Sequence, residues 1–179
     1  MDFGEGCTGR QTEIADLFAT TFAASEGAEE GAAIGELARN LMARTPALDL
    51  DVFTAEEDGR VTGAILFSRL AYPEDARAVF VLGPVAVATD RQGQGIGQKL
   101  IRHGLQRLAA KGVDVALTYG DPRYYTRVGF ASIREADIPA PFPLSHPEGW
   151  LGQSLTGAAL SPLKGPATCV PAFDDPAFW

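Results

Sequence analysis

Residues 79–112, VFVLGPVAVATDRQGQGIGQKLIRHGLQRLAAKG, decide how the chain folds. They read as a buried strand, a glycine-rich turn and an amphipathic helix. Val79, Phe80, Val81, Leu82, Val85, Ala86 and Val87 make an almost continuous apolar run rich in β-branched residues. Such a run suits a central strand covered on both faces. Gly83-Pro84 interrupts it. Proline has no amide to give to a ladder, so the sheet is expected to open or bulge there. Gly93, Gly95 and Gly97 punctuate the turn that follows. Ile96, Leu100, Ile101, Gly104, Leu105 and Leu108 then recur at helical spacing, and the helix is expected to stop at Lys111-Gly112. A strand, a glycine turn and a helix together make a ready anion site. The first helical amides have no partner within the helix, and the helix dipole favours negative charge there.

Two common phosphate loops do not fit the turn. A Walker A loop needs Ser or Thr after its lysine, and Lys99 is followed by Leu100. A Rossmann fingerprint needs its third glycine where Gln98 stands. The spacing that fits is Arg91-Gln92-x-x-Gly95-x-Gly97, which resembles the acyl-CoA pyrophosphate loop of the GCN5-related N-acetyltransferases (the GNAT superfamily). A plain tight turn into a helix has the same glycines, so a second motif is needed. After the helix comes a short apolar strand, Val113 to Tyr119, and then Gly120-Asp121-Pro122-Arg123-Tyr124-Tyr125-Thr126-Arg127-Val128-Gly129-Phe130. The ending Tyr-x-x-x-Gly-Phe is similar to the second GNAT motif. The wider string Gly-Asp-Pro-x-Tyr-Tyr-x-Arg-x-Gly-Phe resembles the YhbS-like bacterial subgroup of acetyltransferases. The resemblance covers roughly residues 10 to 135.

The resemblance implies transfer of an acetyl group from acetyl-CoA, as cosubstrate, directly to an amine, with no covalent enzyme intermediate. Arg91, Gln92, Gly93, Gln94, Gly95, Ile96 and Gly97 would hold the pyrophosphate through backbone amides. Pantetheine would pair like an added strand with Val85, Ala86 and Val87. A backbone N–H on that strand would meet the charge developing on the carbonyl oxygen. Tyr125, four residues before Gly129, matches the family's proposed general acid for the leaving thiolate. A phenol of ordinary pKa about 10 is protonated at neutral pH and can donate. The alternative for Tyr125 is a packing tyrosine bonded to a backbone carbonyl. Tyr124 beside it is read as structural. No motif selects a base: Glu26, Glu30, Asp121 and His146 all stand as candidates. His103, within the cofactor helix, is read as an exposed or half-buried surface residue.

Composition sets the outer bounds. The 179 residues are 46% hydrophobic and 21% charged, enough for one core plus an extension. No apolar run is long enough for a membrane span, and the start MDFGEGCTGRQTE has no basic-then-apolar leader. A cytoplasmic protein is expected. Cys7 and Cys169 are two cysteines far apart, read as free thiols, and His103 and His146 are the only histidines. Neither set makes a metal site, so no metal is expected. The net charge of −8 argues against a general nucleic-acid binder. Residues 91–134 nevertheless carry eight Lys or Arg against only Asp114 and Asp121. This positive island suits the phosphates of CoA, or is a solvated helix face.

Elsewhere the chain alternates in an orderly way. Thr8 to Ala24 is expected to be the first helix and Ala32 to Arg44 the second, with Gly27 to Gly31 as the break. Glu26, Glu29, Glu30 and Glu36 cluster there and would suit a cationic acceptor, or are solvated surface. Strands are expected at Leu48 to Ala55 and Arg60 to Leu70, joined by a turn at Glu56-Glu57-Asp58-Gly59. The order α-α-β-β-β-α-β-α-β describes an α+β fold. The resemblance makes it a three-layer α/β/α sandwich on a mixed sheet with a splayed central strand pair. Residues 1–135 would form the acetyltransferase domain and 136–179 an extension on it. That tail holds eight of the twelve prolines. Within it, Trp150 to Leu160 and Ala167 to Val170 are expected as short strands that complete the sheet. Phe173, Phe178 and Trp179 would be buried, or exposed as a homodimer contact. The activity expected is an N-acetyltransferase acting on a small-molecule or peptide amine. The alternative is a non-catalytic acyl-CoA-binding sensor with the same fold. A general nucleotide-phosphate binder is a third reading.

Overall fold

The computed structural model describes all residues from Met1 to Trp179. It is an α+β fold with four helices and a mixed sheet. Strand β1 (Asp2–Glu5) leads into helices α1 (Gln11–Glu26) and α2 (Ala28–Arg44). Strands β2 (Leu50–Glu57), β3 (Arg60–Ala71) and β4 (Val79–Val87) follow, then α3 (Ile96–Ala110) and β5 (Val115–Tyr119). A one-turn helix α4 (Pro122–Tyr125) and strands β6 (Ala131–Ser132), β7 (Trp150–Ser154) and β8 (Thr168–Cys169) complete the chain. Hydrogen bonding orders the strands β1-β2-β3-β4-β5-β7-β6, with β8 paired to β3. The β4–β5 pair is parallel, and β1–β2, β5–β7 and β6–β7 are antiparallel. The chain gathers into two compact units, residues 1–67 with 84–104 and residues 68–83 with 105–179.

In the first unit, α1 and α2 form a tight hairpin. Gly27 is the break between them, with φ 101°. The second helix therefore starts at Ala28, not at Ala32, and Gly31 lies inside it. Gly31 serves helix packing instead of ending a helix: a β-carbon there would fall 2.5 Å from the Ala19 carbonyl oxygen and 2.7 Å from the Ala23 amide nitrogen. Gly35 likewise approaches Ala19. Ile14, Ala15 and Phe18 are fully buried on α1. Burial of a side chain such as Phe18 contributes about 2–3 kcal/mol. Nearly every residue of β3 from Val61 to Ser68 is buried regardless of parity, so both faces of the strand are covered. The start of α3 covers one of them. Gly63 meets Ile96 and Leu100, and Gly104 sits against Phe53, Ile65 and Phe67.

The N-terminal strand was not visible in the sequence. Asp2 to Glu5 pair with Phe53 to Glu56 in antiparallel register, and the Phe3 ring stacks on His103 at 4.8 Å. His103 is thus half-buried, with Phe3 stacked on its ring and Phe53 edge-on to it. A short 3-10 turn at Ala47–Asp49 delays the start of β2 to Leu50.

The second unit holds the end of β3, the first half of β4, the end of α3 and everything after it. The tail supplies two strands, as expected. Trp150 to Ser154 pair with Val115 to Tyr119, and Thr168-Cys169 pair with Leu70-Ala71. Its aromatics are packed inward. Trp150 is fully buried, Phe173 and Trp179 are buried, and Trp179 stacks on Tyr119. The Trp150 indole N–H donates to the Ile138 carbonyl at 2.8 Å, which satisfies its polar end. Both cysteines are free. No helix is long and apolar enough to cross a membrane.

Candidate active site

The glycine turn belongs to the first unit. Along the second half of β4, Val85 and Val87 are half-buried and Ala86 is buried. The Ala88 amide donates to the Thr62 carbonyl at 2.8 Å, which anchors the end of the strand to β3. A 3-10 turn over Thr89–Arg91 follows, closed by the Arg91 amide donating to the Ala88 carbonyl. The Gln92 side chain folds back and donates to the Val87 carbonyl at 3.0 Å, and Thr21 approaches the same oxygen at 3.5 Å. The Val87 carbonyl is therefore already occupied by the protein's own side chains.

Gly93 and Gly95 have φ of 76° and 75°, the left-handed region that disfavours any residue with a β-carbon. Nothing lies within 4 Å of a β-carbon built on either one, so their outer side is open. Gly95 caps α3, its carbonyl accepting from the Lys99 amide at 3.1 Å. The amides of Ile96, Gly97 and Gln98 at the start of α3 have no carbonyl four residues back within the helix. Gly97 is a buried residue of the first helical turn, and Ile96 is buried against Gly63. Gln94 is exposed. Arg91 pairs with Glu57 at 2.8 Å and with Asp90 at 3.1 Å, and its pKa is raised by the hydrogen bond to Glu57 and by Asp90. Its guanidinium is bound to carboxylates, so the open polar groups of the turn are backbone amides.

The second motif belongs to the second unit. The parallel β4–β5 register runs Val79↔Val115, Phe80↔Ala116, Val81↔Leu117 and Leu82↔Thr118. It ends one residue before Gly83-Pro84, where the sequence predicts the opening. The β4 strand itself continues unbroken to Val87. Past β5, the Asp121 carboxylate caps α4 by accepting from the Arg123 amide at 2.9 Å, and Pro122 takes the first helical position. Gly129, with φ 97°, closes the following 3-10 turn. The Tyr125 backbone is pinned at both ends: its N–H donates to the Asp121 carbonyl, and its carbonyl accepts from the Phe130 amide.

The Tyr125 ring packs edge-on to Phe130 at 5.9 Å and to Tyr124 at 5.1 Å. Thr118 is fully buried and donates its own proton to the Leu82 carbonyl at 3.0 Å. Burial pushes the Tyr125 pKa up to about 12, against a smaller opposing effect of Thr118. The upward shift favours the protonated phenol at neutral pH. Tyr124 is also pushed upward by burial.

No base candidate acquires a defined role. Asp121 is engaged by Arg123, whose hydrogen bond holds its pKa low. His146 is exposed beside Glu148, and Glu26 and Glu30 are exposed. Two residues were missed by sequence reasoning: Gly120, which meets the Tyr125 ring, and Gly149, which meets Gly120.

The family model for the Acetyltransferase (GNAT) domain matches residues 49–132. The uncharacterized N-acetyltransferase YjhQ of Escherichia coli K12 is 35% identical over 129 residues, 69% of each chain. A GNAT family acetyltransferase from Brucella melitensis, solved with acetyl-CoA, is 29% identical with a TM-score of 0.75, covering 97% of both chains. Escherichia coli YhbS, solved with CoA, shares the fold at a TM-score of 0.75 and 24% identity, over 90% of this chain and 87% of that one. With its glycine turn, its Tyr-x-x-x-Gly-Phe segment and these relatives, the chain belongs to the GNAT acetyltransferases, as a YhbS-like N-acetyltransferase.

Proposed function

We propose that the chain moves the acetyl group of acetyl-CoA directly onto an amine, with Tyr125 as the general acid. The observation that carries this reading is the placement of the half-buried Tyr125, whose ring is held edge-on by Phe130 and Tyr124 against Gly120, just past the end of β5. The amides that open α3, with the left-handed Gly93 and Gly95, suit a pyrophosphate. Because Gln92 and Thr21 occupy the Val87 carbonyl, strand-like pairing with pantetheine falls to Val85 and Ala86. A β4 backbone N–H would meet the charge on the carbonyl oxygen. Tyr125 gives its proton to the departing sulfur.

The acceptor amine attacks in its neutral form. Exposed Glu26, Glu29 and Glu30 at the α1–α2 junction favour an acceptor with further positive charge. An acetyl-CoA-dependent reaction implies a cytoplasmic setting. The test is CoA release from acetyl-CoA with a panel of polyamines, amino acids, aminoglycosides and peptides. Turnover with at least one amine, lowered roughly 10²-fold by Tyr125→Phe, is expected. Binding of acetyl-CoA without turnover on any amine would replace this reading with an acyl-CoA sensor.

A further inference from the structure

We propose that Gly120 is a positioning residue for Tyr125: its bare α-carbon seats the ring. This rests on the reading of Tyr125 as general acid. A β-carbon built on Gly120 falls 2.7 Å from Cε2 of Tyr125, 3.5 Å from Cδ2 and 3.6 Å from Cζ. The atoms approached belong to a ring fixed by Phe130 and Tyr124, not to the loose end of a long chain. Gly120 is not among the glycines with positive φ. Its backbone would accept alanine, and only the ring demands glycine.

The seat is held from behind by the tail. The Gly120 amide donates to the Gly149 carbonyl at 3.0 Å. Gly149 is bare in turn, since a β-carbon there would lie 2.8 Å from the Gly120 oxygen. Next to it, Trp150 pairs with Tyr119, and the Tyr119 hydroxyl accepts from the His146 amide at 2.6 Å. Gly120 therefore has little room to retreat from Tyr125. Residues 146–150, beyond the segment matched by the family model, support the proton donor.

The test measures kcat and the KM for acetyl-CoA in Gly120→Ala, with Tyr125 intact and with Tyr125→Phe. The assay uses the amine that supports the fastest CoA release. With Tyr125 intact, Gly120→Ala should lower kcat about tenfold or more with little change in KM, and it should lower kcat no further beside Tyr125→Phe. Equal losses in both backgrounds would mean a merely structural role and overturn the proposal. Normal kcat in Gly120→Ala, with a slow Tyr125→Phe, would overturn it while leaving the general acid in place. A Tyr125→Phe enzyme at full kcat would overturn both. If Gly120→Ala does not fold, Gly149→Ala, whose β-carbon would fall 2.8 Å from the Gly120 oxygen, takes its place with the same outcomes.

Discussion

Leu82 and Thr118 form the last rung of the parallel β4–β5 ladder, and the Thr118 hydroxyl donates to the Leu82 carbonyl at 3.0 Å. Thr118 is fully buried, so the bond has no water to replace it. Thr118→Val keeps the shape and leaves that oxygen without its side-chain donor. Loss of a buried partner costs about 1–3 kcal/mol. A chain of this length should then melt roughly 2–10 °C lower. Thr118→Ser should lose less. An unchanged Tm in Thr118→Val would mean that the rung is held by the ladder alone.

The Tyr125 hydroxyl should stay protonated across the ordinary pH range, because burial pushes its pKa up to about 12. In the proposed role the protonated form would be the donor, so activity dependent on it should be present below that pKa and lost only as pH rises through it. From about pH 7 to about pH 10, kcat should show no alkaline fall that depends on Tyr125. A fall with a midpoint near about pH 9 that disappears in Tyr125→Phe would contradict the buried, protonated state.

The Asp75–Arg77 pair makes an acid-sensitive clamp on the tail. Arg77 grips both carboxylate oxygens of Asp75, at 3.0 and 2.8 Å, and also donates to the Ser161 and Pro162 carbonyls. The side-chain hydrogen bond from Arg77 is the main cause holding the Asp75 pKa down at about 2. A depressed carboxylate stabilises the fold above its unfolded pKa and ceases to do so as pH falls through its folded value. Asp75→Asn should therefore cost on the order of 1–2 kcal/mol at neutral pH. The gap from wild type should close between about pH 4 and about pH 2, read from urea midpoints at each pH. A gap of constant size down to about pH 2 would remove the ion pair as its cause.

Gly104 sets two familiar effects against each other. Alanine in a helix is favoured over glycine by about 1 kcal/mol. Here its β-carbon would fall 2.8 Å from Phe67, 3.1 Å from Ile65 and 3.1 Å from Phe53. Overpacking of this kind costs about 1–3 kcal/mol, and the three neighbours are core side chains with little room to move. Gly104→Ala should lower stability in a denaturant titration, where helix propensity alone predicts a gain.

What could be read from the sequence was what local rules dictate. The β4 run, the left-handed Gly93 and Gly95 and the apolar stripe of α3 each satisfy a short-range demand. The Tyr125 segment was equally legible, because an Asp cap, a Pro at the first helical position and Gly129 punctuate it within ten residues. The parts that escaped depend on partners distant in the chain. Gly31 looked like a helix breaker, and only the approach of Ala19 and Ala23 makes it an interior residue of α2. The strand from Asp2 to Glu5 exists through its pairing with β2 and the stack of Phe3 on His103. Gly120 and Gly149 are separated by about thirty residues, and nothing local marks either as part of a seat. The tail aromatics could be placed at the end of the chain but not assigned to a core, since Trp179 meets Tyr119 and Trp150 only after the fold is made.

The most direct measurement is the thermal-unfolding shift with acetyl-CoA, CoA and ATP, on wild type and on Gly95→Val. Ligand at about 100 times Kd adds roughly 2.7 kcal/mol. For this chain length that is roughly 5–10 °C. The account predicts such a shift with acetyl-CoA and CoA, little with ATP, and a clear loss of affinity in Gly95→Val, whose β-carbon is incompatible with a φ of 75°. No shift with either CoA species, or an equal one with ATP, would contradict it.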